Sequence, residues 1–143
     1  GGRFGVGSDS NIRIALSEEL RTLEYSQRLR DTCRASVATK EKSTGRVLFD
    51  GVVAGGAQAA GRAAGRISEG SLADLVALDG SAIDLEGREG DEILDAWIFA
   101  GDDRMVAEVW SAGRHVVSGG NHVKGNAIRA KYRATMASLR VRL

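Results

Sequence analysis

A chain of 143 residues with 19 Gly, no Pro and only 5% aromatic residues supplies a thin core for its length, since Ala and Gly bury little apolar area each. The formal net charge of +1 excludes a strong long-range field. The lone Cys33 excludes an intrachain disulfide and a CxxC site and points to the cytosol, and no apolar run approaches the length of a membrane span.

In chain order, residues 3–7 read as the end of a short buried strand with glycine flanks, delivering Gly7-Ser8-Asp9-Ser10-Asn11. Residues 17–34 read as a helix. Ser17 is its expected N-cap, Glu18 and Glu19 suit its positive end, and Arg28, Arg30 and Arg34 suit its negative end. Leu16, Leu20 and Leu23 recur at helical spacing, with Leu29 and Cys33 extending the apolar side, so Cys33 is expected buried. A polar connection over 38–45 leads to a second helix at 46–54, interrupted by Gly55-Gly56 and resuming to about Gly65.

Composition changes at residues 66–70. Leu75 to Asp79 reads as a short strand, residues 80–92 as polar turns, and Asp95 to Ala100 as a second strand. Val106 to Trp110 and His115 to Val117 form a hairpin around Ser111-Ala112-Gly113-Arg114. Residues 126–139 read as a closing helix with Ile128, Tyr132, Met136 and Leu139 on one side. The order implies an α/β body over 1–67, a β-rich segment over 68–122 and a terminal helix over 123–143. Neither the body nor the β-rich segment reads as self-sufficient, and the chain is expected to pack on a larger one.

Asp9 is the first candidate for chemistry. A carboxylate after a strand, in a Gly/Ser corner, can ligate a metal or act as a general acid or base. It can equally form an Asx-turn or cap, and the residues alone favour that. Ser8, Ser10 and Asn11 could position a ligand or hold Asp9. Arg13 and Arg21 could meet an anionic substrate, or pair with surface carboxylates. His115 and His122, seven residues apart, match no zinc signature and suit hairpin packing. Gly55-Gly56 and Gly119-Gly120 lack phosphate-loop spacing. After Glu108 the chain has no acid but carries Arg114, Lys124, Arg129, Lys131, Arg133, Arg140 and Arg142. Without aromatic platforms or a nucleic-acid motif, this tail reads as a solvated helix face.

Gly7 to Asn11, Leu16-Ser17-Glu18-Glu19-Leu20-Arg21, Gly55 to Ala59, Ala73 to Asp79 and Val109 to Arg114 together resemble the C-terminal portion of the amidohydrolase superfamily. The stretch from Glu19 to Gln27, Asp95 to Phe99 and Gly119-Gly120-Asn121-His122 are most similar to its members that deiminate N-formimino-L-glutamate. The resemblance implies the last part of a (β/α)8 barrel plus part of a small β-sandwich. It also implies zinc-dependent hydrolysis of a C–N bond, with deamination of a purine or related ring as the alternative; a non-catalytic structural or interaction fragment is the reading outside enzymes.

In that family pattern Asp9 ends the last barrel strand, ligates zinc and carries a proton. Ser10, Asn11 and Arg13 then belong to the substrate side of the rim. The His-x-His pair and the further His and Glu of the family have no match here. The expected partners are therefore a small-molecule substrate and the missing N-terminal barrel portion, in the same or another chain. A homodimer is expected for the full enzyme, with no nucleic acid and no membrane. The 143 residues alone are expected to be inactive.

Overall fold

The protein is described by a computed structural model over residues 2–141; Arg142, the end of the basic tail, lies outside the described residues. Among the described residues, four α-helices, a four-stranded antiparallel sheet and short 3-10 turns make up a mixed α/β arrangement. Helix α1 (Leu16–Asp31) buries Ser17, Leu20 and Glu24, which lie on one face at helical spacing. Glu18 and Glu19 sit in its first turn and Arg28 and Arg30 in its last, as the helix dipole favours. The helix stops at Asp31 rather than at residue 34 because Thr32 turns left-handed, at φ 50°. The following loop carries Cys33 into solvent, correcting its expected burial.

Ser17 is not the cap of α1. It lies inside the helix, and its buried hydroxyl has no partner among the described residues. The capping group comes from far along the chain: the Leu16 and Ser17 amides donate to the Asp103 carboxylate at 3.1 and 3.4 Å. A carboxylate there satisfies orphan amides and meets the positive end of the dipole.

Helix α2 (Thr44–Ala59) starts at Ser43, whose hydroxyl accepts from the Arg46 amide at 3.2 Å. Two more carboxylates finish that end: Asp91 accepts from the Ser43 amide at 3.2 Å and Asp95 from the Gly45 amide at 2.6 Å. The Arg46 guanidinium closes the cluster on Asp91 at 2.7 Å, and its hydrogen bond holds the Asp91 carboxyl below the ordinary carboxylate range. The helix runs through Gly55-Gly56 without the expected break.

Asp91 and Asp95 belong to helix α3 (Asp91–Asp95), which continues into a π-helical turn over Ala96–Ala100. The strand expected at 95–100 is therefore helical. Ala96, Trp97 and Ile98 are buried in succession. A short apolar run of this kind reads equally as a buried strand or a buried helix turn. Contact with α1 and α2 decides for the helix, and Arg21 fixes its end by donating to the Ile98 and Gly101 carbonyls at 2.7 and 2.6 Å. The core forms here: Leu20, Leu48, Val52, Leu85, Trp97, Ile98 and Met105 pack together.

The sheet orders β1 (Leu75–Leu78), β2 (Val106–Ser111), β3 (Arg114–Ser118) and β4 (Asn121–His122) as an antiparallel meander. β4 was not expected. Both two-residue hairpin loops have positive φ at their central residues, Ala112-Gly113 and Gly119-Gly120, the conformation that matches strand twist. A bulge where β2 meets β3 pairs Val109 with Val117 and Trp110 with His115. His115 therefore stacks on Trp110, with ring centroids 4.7 Å apart, and its Nε2 contacts Glu108.

Helix α4 (Gly125–Arg140) closes the described chain. The side formed by Ile128, Tyr132, Met136 and Leu139 is present as spaced, but all four are exposed, so this face has no partner among the described residues.

Candidate functional site

Residues 3–7 form no ladder, which corrects the expected strand. A strand exists only where a neighbour takes its amides and carbonyls. Here the segment instead crosses α2: Phe4 lies against Gly51 and Gly55, and the Arg3 guanidinium donates to Gln58 Oε1 at 2.7 Å. This crossing sets where the next residues emerge.

They emerge as a tight turn. The Asn11 amide donates to the Ser8 carbonyl at 2.6 Å, with Asp9 and Ser10 at its centre. Asp9 has φ 38°, a left-handed conformation that Asp tolerates better than most residues. The Asp9 carboxylate takes no hydrogen bond or ion pair among the described residues. The Asx-turn and cap alternatives therefore find no support: the backbone closes the turn, and the carboxylate points into solvent.

The rest of the candidate set is held by acids of α1 and the loop before β2. The Asn11 side-chain amide donates to Glu19 at 2.8 Å. The Arg13 guanidinium pairs with Glu18 at 2.8 Å and lies 3.8 Å from Asp102. Asp102 itself titrates below the usual carboxylate range, chiefly through its hydrogen bonds from Arg104 and less through Arg13. Ser10 is exposed beside Asp9. The structure thus brings Asp9, Ser10, Asn11 and Arg13 together in one exposed loop, with Asn11 and Arg13 engaged by internal carboxylates. Arg21 lies apart, on the carbonyls that end the π turn. Sequence reasoning placed Glu18 and Glu19 at a helix end without seeing that they hold this loop. It gave no signal for Asp102 or Asp103, which arrive from a distant segment.

Among the described residues no three His, Cys, Asp or Glu side chains gather where one ion could be held. Asp9 could contribute one ligand; alone it does not fit a zinc site, which takes three or four. His115 and His122 take no part. His115 is stacked on Trp110, and the His122 Nδ1 accepts the Lys124 amide at 3.1 Å.

Two apolar grooves of about 370 and 330 Å³ flank Trp97 where it meets the sheet. Asp103, already occupied as a helix cap, is the one titratable residue lining either. Such grooves suit packing better than chemistry.

A family model described as the amidohydrolase family matches residues 1–116. The chain is 49% identical over 123 residues to formimidoylglutamate deiminase from Pseudomonas aeruginosa, covering 85% of this chain and 27% of that enzyme. An amidohydrolase from Brucella melitensis superposes with a TM-score of 0.85 at 42% identity, over 96% of this chain and 30% of that one. An adenosine deaminase from Xanthomonas campestris with bound zinc aligns with a TM-score of 0.73 at 24% identity, over 95% of this chain and 30% of that one, a likeness of fold alone. The chain therefore spans under a third of the length of these relatives. No helix among the described residues is long and apolar enough to cross a membrane.

Proposed function

The chain belongs to the amidohydrolase family, and on that footing we propose that it is the C-terminal part of a deiminase converting N-formimino-L-glutamate and water to N-formyl-L-glutamate and ammonia. The observation that carries this reading is the 49% identity to the Pseudomonas aeruginosa deiminase. The preceding residues of the parent would supply the neighbouring strands of a (β/α)8 barrel, against which residues 3–7 would pair as the last strand, and would add strands to the sheet of β1 to β4. The apolar surface left open here supports that arrangement: Ile12 and Ile14 beside Asp9, Ile67, and Val76 on β1 are all exposed.

Asp9 is the proposed proton carrier. Its unpaired carboxylate would take a proton from the water that attacks the formimino carbon. It would then return that proton to the nitrogen leaving as ammonia, and the remaining hydroxyl proton would pass to the same nitrogen as the formyl C=O forms and the C–N bond breaks. Ser10, Asn11 and Arg13 would shape the rim around the substrate, with Glu19 and Glu18 setting the last two. Zinc, bound in the Xanthomonas campestris structure, is proposed for the parent, with most ligands supplied from beyond these residues; when bound it would lower the pKa of the attacking water. The parent is further proposed to be a cytosolic homodimer.

Competing substrates test the reading. A full-length protein carrying these residues should release ammonia from N-formimino-L-glutamate and leave guanine and adenosine unchanged. Preference for a purine would assign the chain to a ring deaminase of the same family.

A further inference from the structure

We propose that Gly51 and Gly55 of α2 are positioning residues for the reaction: they form a notch in which the Phe4 backbone and ring lie, and this fixes where Asp9 projects. The inference rests on the reading of Asp9 as the proton carrier.

A Cβ at Gly55 would stand 2.6 Å from the Phe4 carbonyl carbon and 2.9 Å from its nitrogen, inside the contact distance of its carbonyl oxygen as well. The obstruction is backbone, so it cannot rotate away. A Cβ at Gly51 would stand 2.7 Å from Phe4 Cζ, a milder conflict with a ring that can swing. At the neighbouring Gly56, a Cβ would meet nothing within 4 Å. Two glycines one helical turn apart thus receive a crossing segment, while the glycine beside them stays clear.

Each interior glycine costs α2 about 1 kcal/mol of helix propensity relative to Ala. Gly55 returns that cost as close approach. Among the described residues, the segment beyond the crossing runs from Phe4 to the turn at Asp9 outside any ladder. Arg3 on Gln58 and Phe4 on the notch are its anchors on α2. An Ala at residue 55 would lift Phe4 by an ångström or more and carry Asp9 with it. A displacement of that size at a reacting group costs on the order of a hundredfold in rate.

The test compares Gly55→Ala with Gly56→Ala in a full-length deiminase that carries these residues as its C-terminal part. Both substitutions raise helix propensity equally. Gly55→Ala should lower kcat about a hundredfold with KM within about twofold, and Gly56→Ala should leave both unchanged. Should Gly55→Ala fold poorly, Gly51→Ala should show the same split to a smaller degree, with kcat corrected for the folded fraction.

In crystal structures of the full-length variants, the Phe4 ring should stay against Gly51 in Gly56→Ala and be displaced from it in Gly55→Ala. Equal kcat in the two variants, or a loss that only follows the folded fraction, would overturn the proposal. If the unsubstituted enzyme releases no ammonia from N-formimino-L-glutamate, the deiminase reading fails by itself. The Phe4–Gly51 contact still decides whether the notch places the segment.

Discussion

Asp9 and Ala112 both hold left-handed backbone without being glycine, and the two cases have different physical meanings. Ala112 sits in the loop between β2 and β3, where Gly113 shares its positive φ. Nothing about an Ala side chain favours that conformation, which costs an L-residue about 1–2 kcal/mol. Ala112→Asn keeps the amide that donates to Asp74 at 2.7 Å and supplies the residue type this loop prefers. It should stabilise the fold by roughly 0.5–1 kcal/mol, read as a rise in the urea midpoint without a change in slope. At Asp9 the strained backbone presents an unpaired carboxylate, and strain of this kind gathers at working sites. Asp9→Asn keeps the turn and removes the proton acceptor. It should leave the melting temperature within a degree or two and lower kcat of a full-length deiminase on the order of 100- to 10,000-fold.

At the scale of elements, borrowed caps tie the helices to one another. Asp103 ends α1 from 87 residues away, and Asp91 and Asp95 end α2 from α3. Asp103→Ala should therefore cost about 1 kcal/mol and loosen the start of α1 and the loop of Asn11 and Arg13 together. Amide exchange over residues 16–20 would show it.

The hairpin is held in the same manner. The Asp74 carboxyl is lowered first by the Ala112 amide and then by Arg62, and Glu108 first by the Gly119 amide and then by His115. A carboxylate with a depressed folded pKa stabilises above its unfolded pKa, about 4. That stability is lost as pH falls through the folded value. Melting temperature should hold from pH 7 to 5 and fall below about pH 4. Asp74→Asn should shrink the fall.

These tertiary caps also explain what was legible in the sequence. Helices α1 and α4 and the β2–β3 hairpin follow from spacing and turn chemistry and lie within a few residues of their expected places; α2 is also found, but unbroken and ending at Ala59 instead of near Gly65. The missed features depend on distant partners. The cap of α1 comes from Asp103, the helical state of residues 95–100 comes from burial against α1 and α2, and residues 3–7 lack the neighbour that would make them a strand. The site divides along the same line. Asp9 and its turn stand out as a local pattern. Their placement by Gly51 and Gly55, and the acids holding Asn11 and Arg13, appear only in three dimensions.

For the molecule as a whole, the core is small and its open surfaces are large. The buried residues gather around Trp97 and Ile98, while the side of α4 bearing Ile128 and Tyr132, the sheet edge at β1 and the isoleucines beside Asp9 face solvent. The matched relatives are more than three times as long. The exposed apolar faces and the partial coverage of these relatives fit the proposed reading, in which these residues would bring one carboxylate and its support to a site that the rest of a longer amidohydrolase completes.

The decisive measurement is ammonia release from N-formimino-L-glutamate, assayed with zinc present, for three proteins. They are the 143-residue chain, the same residues joined to the N-terminal part of a formimidoylglutamate deiminase, and that joined protein carrying Asp9→Asn. The expected result is release by the joined protein alone. Turnover by the 143 residues alone, or undiminished turnover by the Asp9→Asn protein, would contradict the central claim.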